Sequence, residues 1–299
     1  MRFSQLVVLA FVSVPAAMPA VAAKHAADPP RITGVAGIAY DVADLNKARA
    51  YYEGFLGFQE AAAVKNSDGT DHAAYVKIND HQYIVLIQEP ATNHGFLHGA
   101  IFQTNNAEAM RELLKSKGVT VPDKVTKDPA GNLGFDITDP SGFDLEIVQY
   151  LPNSLTGKLH GKDMPADRIA DHIDHIGLLV NDRDESTKWY ADNFGFVKEG
   201  DGSKMVIGSG PDRFELGVDK KNRTIDRYHV KDHLCLSVPD VPKVTAALNA
   251  KPQAKDFRTI ESHQLPNGKH VDELYGPFGN RIELMEPPKE NDSNPSTGA

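Results

Sequence analysis

His175, Glu215, His233 and Glu283 are the side chains of this sequence whose types and placement suit joint chemistry. Each stands in a short run that alternates apolar and polar residues, and successive side chains of a β-strand point to opposite faces. In the first run Ile176, Leu178 and Val180 share one face, leaving His175 and Gly177 on the other. In the next two, Phe214, Leu216 and Val218 oppose Arg213, Glu215 and Gly217, and Leu234, Leu236 and Val238 oppose His233, Cys235 and Ser237. In the last, Ile282 and Leu284 oppose Arg281, Glu283 and Met285. Every run therefore has an apolar face fit to pack under a helix and a ligand-type residue opposite it. One histidine on a strand is most often a core or surface residue; the same placement on four strands argues for a metal. Two imidazoles and a carboxylate with open positions suit iron(II). The same set suits catalytic zinc, and manganese or nickel if Glu215 joins.

The elements that position these residues are read from an internal repeat. Residues 37–58, GIAYDVADLNKARAYYEGFLGF, recur in register as 175–196, HIGLLVNDRDESTKWYADNFGF. The close of each copy recurs too, as DPSGFDLE at 139–146 and GPFGNRIE at 276–283. Two copies of one module follow, at 33–150 and 171–288, joined by a Pro-, Gly- and Lys-containing linker at 151–170. Within the first copy, a strand from Gly37 to Val42 leads to a helix with Leu45, Ala48, Tyr52 and Phe55 on one face. Strands near 58–64, 71–78 and 82–87 follow, and the pattern restarts with strand His98–Gln103 and helix Ala107–Lys117. The second copy has helices near 184–194 and 241–250. The fold class is α+β, with a βαβββ unit used four times. The interval from His233 to Glu283 is one such unit from its first strand to its last.

Bulk properties exclude several functions. A net charge of −9 with no Lys or Arg block argues against nucleic acid and against an anionic membrane as partner. Arg2, the apolar run Leu6–Ala17 and the small-residue site Ala20-Val21-Ala22 have the shape of a secretory signal peptide over residues 1–23. The mature chain is then periplasmic or secreted, with no membrane segment after cleavage. Cys235 is the one cysteine, so no intrachain disulfide forms, and its strand setting reads as a buried apolar role. Residues 289–299 read as a disordered tail. Trp189, Tyr190, Tyr51 and Tyr52 read as core, and His72, His81, His94, His160, His172, His229 and His263 as loop or surface residues.

The repeated unit, the strand starts HIGLLVND and HLCLSVPD, the helix end WYADNFGF and the close GPFGNRIELME resemble the vicinal oxygen chelate superfamily of glyoxalases, bleomycin-resistance proteins and extradiol dioxygenases. The resemblance spans nearly all of 33–287. It implies cup-shaped sheets with helices outside, and a divalent metal held by His175, His233 and Glu283. Glyoxalase-type members would add Glu215, while extradiol members use only the other three. Such an ion would bind two adjacent oxygens of a small-molecule substrate, or substrate and O2, and act as a Lewis acid. A second implied function is non-catalytic binding of a small molecule, as in bleomycin resistance. Glyoxalase proper depends on a cytosolic thiol cofactor, and export counts against it. Extradiol chemistry also needs a nearby His and Tyr, for which His270 and Tyr275 are the candidates. Five residues apart on one regular strand, only one of them faces the cup. In the first copy the equivalent positions read as Gly37, Ile84, His98 and Glu146, with Ala39, Leu86, Ala100 and Phe102 lining the cup, so its metal set is degenerate. A homodimer in which His98 and Glu146 join a shared site is compatible with the sequence.

Overall fold

The structure is a computed structural model that describes residues 28–89, 96–208, 210–218, 232–265 and 268–287. The signal peptide expected at 1–23, the tail at 289–299, His94 and His229 lie outside the described residues. The first unit runs β1 (Ile32–Val42), α1 (Leu45–Arg49) continued by a π-helical turn (Ala50–Phe55), β2 (Gln59–Lys65), β3 (Asp71–Lys77) and β4 (Tyr83–Gln88). The second runs β5 (Phe96–Thr104), α2 (Ala107–Ser116), β6 (Thr126–Lys127), β7 (Leu133–Thr138) and β8 (Asp144–Gln149). After α3 (Leu155–Lys158) come β9 (His172–Val180), α4 (Arg183–Phe194), β10 (Val197–Glu199), β11 (Lys204–Val206) and β12 (Arg213–Val218). The last unit is β13 (His233–Ser237), α5 (Val241–Asn249), a 3-10 turn (Pro252–Asp256), β14 (Arg258–Gln264), β15 (His270–Tyr275) and β16 (Arg281–Met285).

All four units start their helix in the same way. Asp44, Asn106, Asp182 and Asp240 each turn an extended residue into an N-cap whose side-chain oxygen accepts from a first-turn backbone N–H. No helix among the described residues is long and apolar enough to cross a membrane.

Each module is one eight-stranded sheet. The orders are β2-β3-β4-β1-β5-β8-β7-β6 and β10-β11-β12-β9-β13-β16-β15-β14. The two units of a module meet antiparallel at β1–β5 and at β9–β13, and the strands beside each seam run parallel to it. In the second module the ligand-bearing strands are thus the four central ones.

The apolar faces read from the second module, Ile176, Leu178, Val180, Phe214, Leu216, Leu234, Leu236, Ile282 and Leu284, are all buried in one core. That core is shared with the first module. Phe102 on β5 packs against Phe194, Phe196 and Phe214, at ring distances of 6.1, 5.4 and 5.3 Å. Tyr190 donates to Asp139 Oδ2 at 2.9 Å, and Ile173 N donates to Gln82 Oε1 at 2.8 Å. Tyr51 and Tyr52 are buried as well. The 151–170 segment is anchored rather than a bare tether: Ser154 and Thr156 are buried, and the buried Lys77 ammonium donates to Lys162 O at 2.8 Å. His172 and His263 sit on β9 and β14 and contact Asp212 and Glu273, so these two are strand residues.

The backbone pairing corrects the cup of the first module by one residue. Ala39 pairs with Val85 and with Gly99 as Gly177 pairs with Glu215 and with His233. The position of Glu215 is therefore held by Val85, not Ile84, and that of His233 by Gly99, not His98. Ile84, Leu86, Ala100 and Phe102 face the core, while Ala39, Tyr75, Val85 and Ile101 line the concave face. On β5 the cause is a register shift at Ala39/Tyr40 against Gly99/Leu97, which leaves His98 as an extra residue; β4 pairs regularly with β1 and simply sets Val85 rather than Ile84 opposite Ala39.

Candidate metal centre

His175, Glu215, His233 and Glu283 come together on the concave face of the second sheet. The Nε2 atoms of His175 and His233 lie 3.1 Å apart. Glu215 Oε2 is 3.4 Å from His175 Nε2, and Glu283 Oε2 is 3.4 Å from His233 Nε2 and 4.0 Å from His175 Nε2. His175 is fully buried, and His233 and Glu283 nearly so. The imidazole of His233 lies over Gly177, where a Cβ would come within 2.1 Å of its Cε1. A glycine is therefore required there by space.

Asp174 holds His175 in place. Pairing with β13 steps from Cys235↔His175 to Leu236↔Ile173, so Asp174 is the extra residue of a bulge. A bulge lets neighbours share a face, and Asp174 Oδ1 meets His175 Nδ1 at 2.7 Å. A carboxylate there takes the Nδ1–H and leaves Nε2 as the lone pair turned toward the other donors. The first module has the same bulge at Ala36, between the pairs Val35↔Phe102 and Gly37↔Ile101.

Two cations border the carboxylates. Lys204 on β11 reaches Glu215 Oε2 at 3.3 Å, and Arg281 on β16 binds both Glu283 Oε1 and, at 2.8 Å, Glu273 Oε1. Tyr275 donates to Glu273 Oε2 at 2.8 Å. Burial pushes the Glu215 carboxyl up, but His175, His233 and Lys204 outweigh it and hold it below the usual range. Burial lowers the pKa of His233, with Glu283 partly opposing. The four side chains thus bring two imidazole nitrogens and two carboxylate oxygens together. Such a set fits a divalent cation.

His175, Glu215 and His233 can each offer an atom within 4.8 Å of the others, as can Asp174, His175 and Cys235. The second group is the poorer ligand set, because burial pushes the Cys235 thiol well up. A cavity of about 120 Å³ lined by Leu179, Gly217, Arg281, Glu215, His233 and Glu283 adjoins the site. Of the two residues proposed for proton transfer, Tyr275 shares the concave face with Glu273 and Glu283. His270 falls by alternation with Asp272 and Leu274 on the helix side, where Asp272 accepts from Thr245 of α5. His270 does not meet the donors.

Sequence reading missed Asp174, Lys204, Glu273 and Arg281. Asp174 left a signal: Ile173 and Ile176, an odd number of residues apart, are both apolar, which only a bulge reconciles with one buried face. The first module carries Gly37, Val85 and Gly99 in place of His175, Glu215 and His233, and only Glu146 matches Glu283. Neighbouring backbone has closed over both glycines: a Cβ would lie 2.1 Å from Tyr83 O at Gly37 and 2.7 Å from Asp144 O at Gly99.

A family model described as Glyoxalase/Bleomycin resistance protein/Dioxygenase superfamily matches residues 34–147 and again 172–284. No curated protein sequence matches the chain. Among solved structures, the Mn(II)-bound glyoxalase from Novosphingobium aromaticivorans is similar with a TM-score of 0.64 at 16% identity, covering 87% of this chain and 84% of that one. The 2,3-dioxygenase LapB from Pseudomonas sp. KL28 is similar with a TM-score of 0.62 at 16% identity, covering 88% and 97%. Homoprotocatechuate 2,3-dioxygenase from Arthrobacter globiformis gives 0.60 at 15% identity, covering 86% and 80%. At these identities the likeness is one of fold, and reaction does not follow from it. Two family matches that together span most of the chain, on two sheets of the same strand order, place it in the Glyoxalase/Bleomycin resistance protein/Dioxygenase superfamily.

Proposed function

We propose that the chain is a metal-dependent enzyme of its superfamily, with one divalent ion held by His175, Glu215, His233 and Glu283. Its substrate is a small molecule with two adjacent oxygens, and its chemistry is of the glyoxalase-like isomerase or lyase kind. The observation that carries this reading is Glu215, whose carboxylate stands 3.4 Å from His175 Nε2 inside the donor cluster. An ion bound there supplies Lewis-acid polarisation of substrate oxygens. Asp174 fixes the orientation of His175, Arg281 ties Glu283 in place, and Leu179 gives the adjoining cavity an apolar wall. Export, which the first residues suggest, favours a substrate that carries no cytosolic thiol cofactor.

One observation favours a second reading. Lys204 also engages Glu215, and a Glu215 held by lysine would leave His175, His233 and Glu283 as a facial triad of ring-cleaving type.

Elemental analysis of purified protein separates these. Wild type should carry about one divalent metal per chain, and both Glu215→Ala and His233→Ala should lose it. Loss with His233→Ala alone would favour the triad. A wild type without stoichiometric metal would replace the enzyme reading by that of a small-molecule binder.

A further inference from the structure

The concave face of the first sheet holds a cavity of about 570 Å³, a size that suits a small organic ligand. Ala39, Ala73, Tyr75, Val85 and Ile101 give it an apolar floor. Against that floor stands Glu146, paired across the strands with Ile101 on one side and Asp136 on the other. Like charges directly opposite on one sheet face destabilise it. Burial, with Asp128 and Asp136 adding to it, pushes the Glu146 carboxyl up to about 8, and only His98 opposes.

The second module shows how this arrangement is otherwise completed. There the equivalent cross-strand pair is Glu273 and Glu283, and the guanidinium of Arg281 lies between them and binds both. The position of Arg281 in the first module is Asp144, since Asp144 pairs with Thr138 as Arg281 pairs with Tyr275. A carboxylate thus stands where the other copy has its internal cation. Of the basic side chains lining the first cup, His98 bonds Asp41 through Nδ1 at 3.0 Å, Lys127 is exposed on edge strand β6, and His72 is half-buried at the start of β3.

We propose that this cup is a second ligand site, for an organic cation with an apolar body, whose ammonium or guanidinium group sits between Asp136 and Glu146 where the other module carries Arg281. The apolar floor takes the body of the ligand. The site is independent of the metal centre, and so of the function proposed above.

Titration calorimetry of the full chain tests it, with phenethylammonium chloride as probe and 2-phenylethanol as its neutral counterpart. The ammonium should bind, and the alcohol about tenfold more weakly or worse. Glu146→Gln and Asp144→Arg should each weaken ammonium binding by about tenfold or more, the second by supplying the missing cation from within. Asp144→Arg should melt no lower than wild type, and His233→Ala should bind the ammonium unchanged. Equal affinity for the two probes, no ammonium binding, or undiminished binding to a folded Asp144→Arg chain would overturn the proposal. So would Glu146-dependent binding of manganese chloride alone to the His233→Ala protein, which would make the cup a metal site.

Discussion

At the scale of single residues, the candidate metal centre depends on where a side chain is absent as much as on where donors stand. The ring of His233 occupies the volume above Gly177, and nothing about a glycine in an apolar run announces that role. Gly177→Ala should push the imidazole off the other donors and weaken metal binding by about tenfold or more, read by competition with a chelator. Gly217→Ala is the matched control, because its Cβ would come too close only to the end of the Leu179 side chain, at 2.9 Å, with Leu178 O at an ordinary 3.6 Å. If both variants hold metal like wild type, the packing of His233 on Gly177 does not position the ligand. The four donors themselves were legible in the sequence, because alternation alone separates them from the apolar face. Arg281 and Lys204 were not, since a charged residue on a half-exposed strand looks the same whether it faces solvent or a carboxylate.

At the scale of elements, pairing register decides what alternation leaves ambiguous. The four βαβββ units, their helices and their capping residues follow from periodicity and from an Asx residue ahead of each helix. In the first module the cup residues of β5 were misread because one extra residue, His98, shifts the strand by one, and those of β4 because alternation without pairing leaves the choice of face open. Correct pairing puts Asp136 opposite Glu146 on β7 and β8, and this has a consequence for stability. Glu146 is raised in the fold, so between the ordinary carboxylate range and about 8 the folded chain keeps a proton that the unfolded chain has lost. Unfolding stability must therefore fall as pH rises through that window. Asp128 and Asp136 strengthen the effect, and His98 offsets part of it. Glu146→Gln should flatten the decline, with a difference in melting temperature on the order of 10 °C between the ends of the window. Parallel curves for the two proteins would show that the pair imposes no such cost.

At the scale of the whole molecule, the two modules share one core, which their separate repeats gave no reason to expect. Phe102 of the first module is enclosed by Phe194, Phe196 and Phe214 of the second. Phe102→Ala should cost about 3–5 kcal/mol in urea unfolding, with both modules melting in one transition. A loss under about 1 kcal/mol, or two separate transitions, would mean that the modules fold independently. Backbone lies close over Gly37 and Gly99. A histidine cannot enter either place by substitution alone, because the neighbouring strand fills the volume its Cβ would need. Giving the first cup the donor set of the second therefore calls for two strands to move as well as for new side chains.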